Sequence, residues 1–169
     1  MHTPRSTRLN TRTILSLRGA FTFLEIMVVV VIVGILAAMV VPQMAAASDH
    51  ARSSAVESGL GAVRSGIAAF RTRAIIAGST PFPTIAQLRT AGTVLVDELP
   101  ANPYTGLRTV QEVTSDSAAA RQVYNTNAAG WNYYVNNSSD PPVCVFYCNS
   151  DTATDITTAS GTARKASEL

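Results

Sequence analysis

Residues 21–41 form an apolar run interrupted only by Thr22, Glu25 and the helix-weakening Gly34. As a helix rising ~1.5 Å per residue, about 21 residues cover ~31 Å, the thickness of a bilayer's hydrocarbon core. The run is rich in Val, Ile, Leu and Met, and it reads as a membrane helix. Glu25 is the anomaly. Insertion scales put an acidic or basic side chain at the centre of such a helix at about 2.5–3.5 kcal/mol, so a carboxylate here implies a partner charge.

Residues 1–20 carry Arg5, Arg8, Arg12 and Arg18 and no acid. That imbalance holds the leader on the cytoplasmic side and sends the remainder outward. Residue chemistry alone leaves two readings of the apolar run, an anchor or a secretory signal. Ala45-Ala46-Ala47 would serve as the small-residue cleavage site of the signal, which would release a periplasmic binding domain. Against it stand the length of the run, beyond the usual core of about 7–15 residues, and the carboxylate inside it. The formal charge of +2 includes the leader. Taking its four arginines from the thirteen basic residues leaves nine, against eleven acidic ones. A nucleic-acid-binding bulk charge is therefore excluded for the remainder.

The stretch Gly19-Ala20-Phe21-Thr22-Phe23-Leu24-Glu25-Ile26-Met27-Val28, continuing to Pro42, resembles the class III signal of type IV pilins and type II secretion pseudopilins. The resemblance implies a prepilin peptidase that cuts before the apolar helix and methylates the new terminal amine. In that family Glu is the fifth mature residue, which places the cut between Ala20 and Phe21 and the methyl group on Phe21. The family's usual residue before the cut is Gly, and a cut between Gly19 and Ala20 would make Glu25 the sixth. The resemblance further implies a structural role rather than an enzymatic one. Single-pass subunits would wait in bacterial inner-membrane lipid with their heads in the periplasm. They would then assemble into a helical homo-oligomeric filament with an inner-membrane platform and minor pseudopilins. The Glu25 carboxylate would meet the Phe21 amine of a neighbour and set the axial register.

Past this segment, Pro42 removes one helix hydrogen bond and crowds the carbonyl of Ala38, and Gly34 weakens the same stretch, so a bend is expected there. Residues 43–78 continue the helix in amphipathic form. Val56, Leu60, Val63, Ile67, Phe70 and Ala74 alternate steps of four and three on one face, the signature of a core-facing stripe. Gly59, Gly61 and Gly66 fall inside it as small residues that permit close approach. Gly78, followed by Pro81 and Pro83, ends it.

The remaining chain, about 125 residues beyond leader and membrane helix, suffices for one small core. Residues 79–148 are assigned to a globular head. Thr84-Ile85-Ala86-Gln87 matches a capping box for a short helix ending near Gly92. Pro100-Ala101-Asn102-Pro103-Tyr104 is a rigid loop, and residues 109–113 are a strand. Residues 115–120 are a loop or helical turn. Trp131, Tyr133 and Val135 alternate with Asn132, Tyr134 and Asn136 as a half-buried strand. Residues 143–147 return after a turn that contains the Asn136 and Asn137 glycosylation sequons. Cys144 and Cys148 share one face of that strand at roughly 13 Å, too far apart for a disulfide. They are either joined across a tight turn at Val145-Phe146-Tyr147 or left as two partly buried thiols. Residues 149–169, rich in Thr, Ala, Ser and Asp, read as a flexible tail.

No catalytic constellation is visible. His2 and His50 are the only histidines, and His50 reads as a surface residue beside Asp49. The head, through Pro81-Phe82-Pro83-Thr84 and Leu99-Pro100-Ala101-Asn102-Pro103-Tyr104, is similar to the major pseudopilin of type II secretion, its G subunit. That family carries a calcium loop rich in Asp and Gly. Asp151 and Asp155 are the nearest counterparts here, without the glycines, and they read as solvated acids, so no cofactor is expected. The expectation is an α+β, pilin-like chain: a long N-terminal helix with a small antiparallel sheet. It would serve type II secretion, or alternatively a surface type IV pilus used in adhesion, motility or DNA uptake.

Overall fold

The computed structural model describes residues 21–169, so the leader, with Gly19 and Ala20, lies outside the described residues. One helix, α1 (Phe23–Ile76), occupies the first third of them. The chain divides into two units between Val41 and Pro42, although the helical assignment continues without interruption through Gly34 and Pro42.

In the first unit Thr22 caps the helix. The Glu25 amide donates to Thr22 Oγ1 at 3.2 Å, and the Ile26 amide to the Thr22 carbonyl at 3.3 Å. The side chain thus satisfies one of the amides that a helix start leaves without internal partners, and the carbonyl accepts the first bond of the helix.

In the second unit α1 ends as Gly78 predicts. The Ser79 amide reaches the Ala74 carbonyl at 2.9 Å and the Gly78 amide reaches that of Ile75 at 3.2 Å. Gly78 takes a φ of 65°, the left-handed cap that a residue without Cβ adopts at least cost. The α1 stripe is buried at Val56, Leu60, Val63, Ile67 and Ala74, with Phe70 half-buried against the same core. The capping box at Thr84 is present: the Gln87 amide donates to Thr84 Oγ1 at 3.3 Å and the Thr84 amide to Gln87 Oε1 at 2.9 Å. It starts the short helix α2 (Ile85–Arg89).

The head then forms β1 (Val110–Glu112), helix α3 (Ser115–Ala119), β2 (Trp131–Asn136) and β3 (Val143–Cys148). The sheet order is β1-β2-β3. β2 and β3 pair antiparallel, Trp131 opposite Cys148, whereas β1 runs parallel to β2 with Val110 opposite Trp131. The expected antiparallel sheet is therefore mixed. The crossover through α3 that carries the chain from β1 to β2 makes it so, since parallel neighbours need a long connection. α3 and its cap, Thr114, cover the sheet face opposite α1, where Val113, Ala118 and Tyr147 form a small second core.

The expectation of a flexible tail is corrected. Residues 153–168 form the hairpin β4 (Ala153–Thr157) and β5 (Ala163–Lys165) and a 3-10 turn (Ala166–Glu168). Thr154, Ala166 and Ser167 are buried, and Leu169 packs against the main core. Small side chains suffice because backbone bonds fasten the segment: Ser167 N–H to the Ser150 carbonyl at 2.9 Å and Ala166 N–H to that of Thr152 at 3.0 Å.

Candidate functional site

The first unit holds Phe21, Glu25 and Gly34, and Pro42 opens the second. From Phe21 to Met44 every large apolar side chain of the described chain is exposed, Phe23 at 77% and Val41 at 66%. The helix is long and apolar enough to cross a membrane. Glu25 lies in its first turn, exposed, and no cation pairs with it among the described residues. A carboxylate at this end is favoured by the helix's N-terminal dipole by about 0.3–1 kcal/mol, less than the cost of placing it in hydrocarbon. Phe21 is exposed just ahead of the helix. Gly34 has open space where a Cβ would stand. Pro42 lies inside the helix, where its missing N–H leaves one carbonyl without the usual bond.

In the second unit Trp131 is the hub. It is wholly buried, its Nε1 donates to the Pro100 carbonyl at 2.8 Å, and its ring stacks on Phe146 at 5.3 Å. Gly59 of α1 admits that indole, with Trp131 Cη2 at 3.5 Å from where a Cβ would stand. Gly66 admits the 94–95 loop in the same way, at 2.8 Å from Leu95 Cδ2 and 3.0 Å from the Val94 oxygen. Gly61 faces open space and permits no such approach.

Asn102 holds the two-proline loop. Fully buried, it donates to the Gly130 carbonyl at 2.6 Å and to Cys148 Sγ at 3.2 Å, and it accepts from the Tyr104 amide at 2.9 Å. Asn132 is buried as well, contrary to a strand with one wet face. It donates to Asn149 Oδ1 at 3.0 Å and accepts from Gln111 Nε2 at 2.7 Å, and its bond to the Gln122 carbonyl at 3.3 Å ties the 120–130 connection to the sheet.

Cys144 and Cys148 are both free and lie on the continuous strand β3. The tight turn that a disulfide between them needs is absent, because pairing with β2 keeps the strand extended. Burial raises both thiols, Cys148 to about 12. Neither supplies a thiolate near neutral pH.

Asp155 departs most from its sequence reading. On β4 it pairs with His50 of α1, 105 positions away, while its amide donates to Ser53 Oγ at 3.3 Å. The hydrogen bond to Asp155, and then its charge, raise the His50 pKa; the His50 bond holds Asp155 below its usual range. Asp151 is exposed between β3 and β4, and among the described residues no group of three or more His, Cys, Asp or Glu gathers to hold a metal ion. No sequence signal marks the His50–Asp155 pair, since neither residue belongs to a local motif. The molecule thus offers an uncovered apolar helix with one carboxylate at its start, followed by a folded head. No protein-family model, curated protein or solved structure matches this chain.

Proposed function

We propose that the chain is a filament subunit of the pilin type, most similar in its sequence signals to the major pseudopilin of type II secretion. The observation that carries this reading is the helix from Phe23 to Ile76, whose first part exposes all its apolar side chains and whose second part holds a folded head on one stripe. A subunit of this kind has two homes for the same apolar surface. Lipid covers it before assembly, and the corresponding helices of neighbouring subunits cover it afterwards.

Glu25 gives the assembly its register. Removal of residues 1–20 leaves an ammonium at Phe21, and the Glu25 carboxylate of one subunit meets the Phe21 amine of the next along the filament. Both charges are costly in a low-dielectric helix bundle unless paired. Pro42 and Gly34 supply the weak helical stretch at which a subunit adjusts on leaving lipid. The helix also runs unbroken through Ala45, Ala46 and Ala47, which supports an anchor over a signal cleaved there.

Mass spectrometry of the membrane-bound protein tests the reading. The expected mature terminus is N-methylated Phe21. A terminus at Ser48 overturns it.

A further inference from the structure

The arginine chemistry of the head is unspent. Arg64 and Arg71, seven positions apart on α1, border a cleft of about 440 Å³ beside β3, and Arg121 borders it as well. Ile67, Phe82 and Phe146 lie among its apolar walls. β3 ends the sheet order and the C-terminal 3-10 turn packs beside it, so the cleft lies at the border of the sheet. Arg64 belongs to the helix packed on the Phe146 face, and Arg121 stacks over Tyr147 on the other face, 5.2 Å from the ring centroid. The two guanidiniums thus reach the edge from opposite sides of the sheet.

None of the three pairs with an Asp or Glu side chain: among the described residues the only side-chain ion pair is His50–Asp155. Arg64 Nη2 donates to the main-chain oxygens of Phe146 at 3.2 Å and Leu169 at 2.9 Å. Arg71 lies over the Phe82 ring at 4.9 Å. Arg121, in a left-handed conformation with φ of 50°, holds Nη1 away from water with no hydrogen-bond partner. A buried charged donor without an acceptor is destabilising until one arrives. Burial, and then repulsion from Arg121 and Arg164, lower the Arg64 pKa. Arg71 and Arg121 are therefore the guanidiniums left to meet a carboxylate, and the apolar walls suit a small aliphatic group beside it.

One segment of this chain presents that combination. In the turn Val96-Asp97-Glu98 both acids are exposed, and Val96, at 88%, is the most exposed large apolar side chain of the described residues. The turn does not border the cleft. We propose that the Arg64–Arg71–Arg121 cleft receives the Val96-Asp97-Glu98 turn of a second copy of this chain, Glu98 or Asp97 on the guanidiniums and Val96 on the apolar wall. The inference rests on the filament reading for the presence of neighbouring copies and adds to it a contact between heads. Two different patches meeting head-to-tail make an interface that propagates rather than closing as a two-fold dimer. The planar guanidinium fork suits a carboxylate at such a contact.

The test uses full-length protein in membranes with Val96 replaced by photoreactive benzoylphenylalanine. Illumination is expected to give a covalent dimer whose linked peptide contains residues 64–71 or 144–146. Arg71→Glu, which removes only a stacking contact within its own chain, should lower the dimer yield about tenfold, as expected for a like-charge clash at an interface. Combining Arg71→Glu with Glu98→Arg should restore it. A linked peptide from elsewhere, monomer alone, or a yield indifferent to Arg71→Glu overturns the proposal. Filaments are scored separately by electron microscopy. Normal filaments without the link to the cleft refute this contact alone, whereas unprocessed protein without filaments refutes the reading beneath it.

Discussion

The two stretches of α1 on either side of Pro42 are one helix in two environments. Before Pro42 the helix turns Val, Ile, Leu and Met outward on every side, and no other described residue covers them. After Pro42 the outward positions are mostly polar or small, and one stripe from Val56 to Ala74 disappears under the head. The difference separates two kinds of specification. The second stretch is complete in itself, because its partner surface is encoded in residues 82–169. The first has no such surface among the described residues.

The sharpest break of this comparison comes from the head's hub. Trp131→Ala removes a fully buried indole, its stacking on Phe146 and its bond to Pro100. A loss of about 3–5 kcal/mol is expected, enough to melt a small head by circular dichroism, while carbonate-resistant membrane association stays as before. Loss of membrane association with the head would mean that the stretches are not independent.

Glycines sharpen it at smaller magnitude. At Gly66 a Cβ would meet Leu95 and the Val94 oxygen, so Gly66→Ala should destabilise the head by about 1–3 kcal/mol in a denaturant titration. Gly61 faces open space, and Gly61→Ala should be neutral or stabilise by up to about 1 kcal/mol. Gly34→Ala, in the first stretch, should leave head stability alone.

The smallest expected effect is the pH dependence of the clasp between α1 and β4. A His50 pKa raised from 6.5 contributes stability that is full below 6.5 and lost as pH rises through the folded value. An Asp155 pKa lowered from 3.8 contributes stability that is present above 3.8 and lost as pH falls through its folded value. The clasp is therefore strongest between these limits, and His50 at 74% exposure keeps its contribution small. Amide exchange corrected for intrinsic rate should show residues 153–165 opening more readily at pH 8 than at pH 6. His50→Ala should remove the difference.

Much of this architecture was legible because its causes are local. The apolar run, the 56–74 stripe, the Thr84 capping box and the Gly78 stop each announce themselves within a few residues, and each stands where its chemistry places it. Long-range partners account for what was not legible. Residues 149–169 look unstructured because Thr, Ser and Ala carry no apolar periodicity; they fold by backbone pairing and by bonds to Ser53 and His50, about a hundred positions away. The parallel β1–β2 register depends on where the α3 crossover returns the chain. Asn132 looks solvent-facing until Asn149 and Gln111 are brought beside it. At the candidate site, Glu25 stands out by its setting alone, whereas the Arg64–Arg71–Arg121 cleft needs the fold to bring Arg121 to the other two.

The most direct test of the division is Glu25→Val in the full-length protein. The variant should insert at least as well as wild type, be cut before Phe21 and keep the melting curve of the head, yet form no filaments by electron microscopy. Normal filaments from a processed Glu25→Val protein would contradict the account.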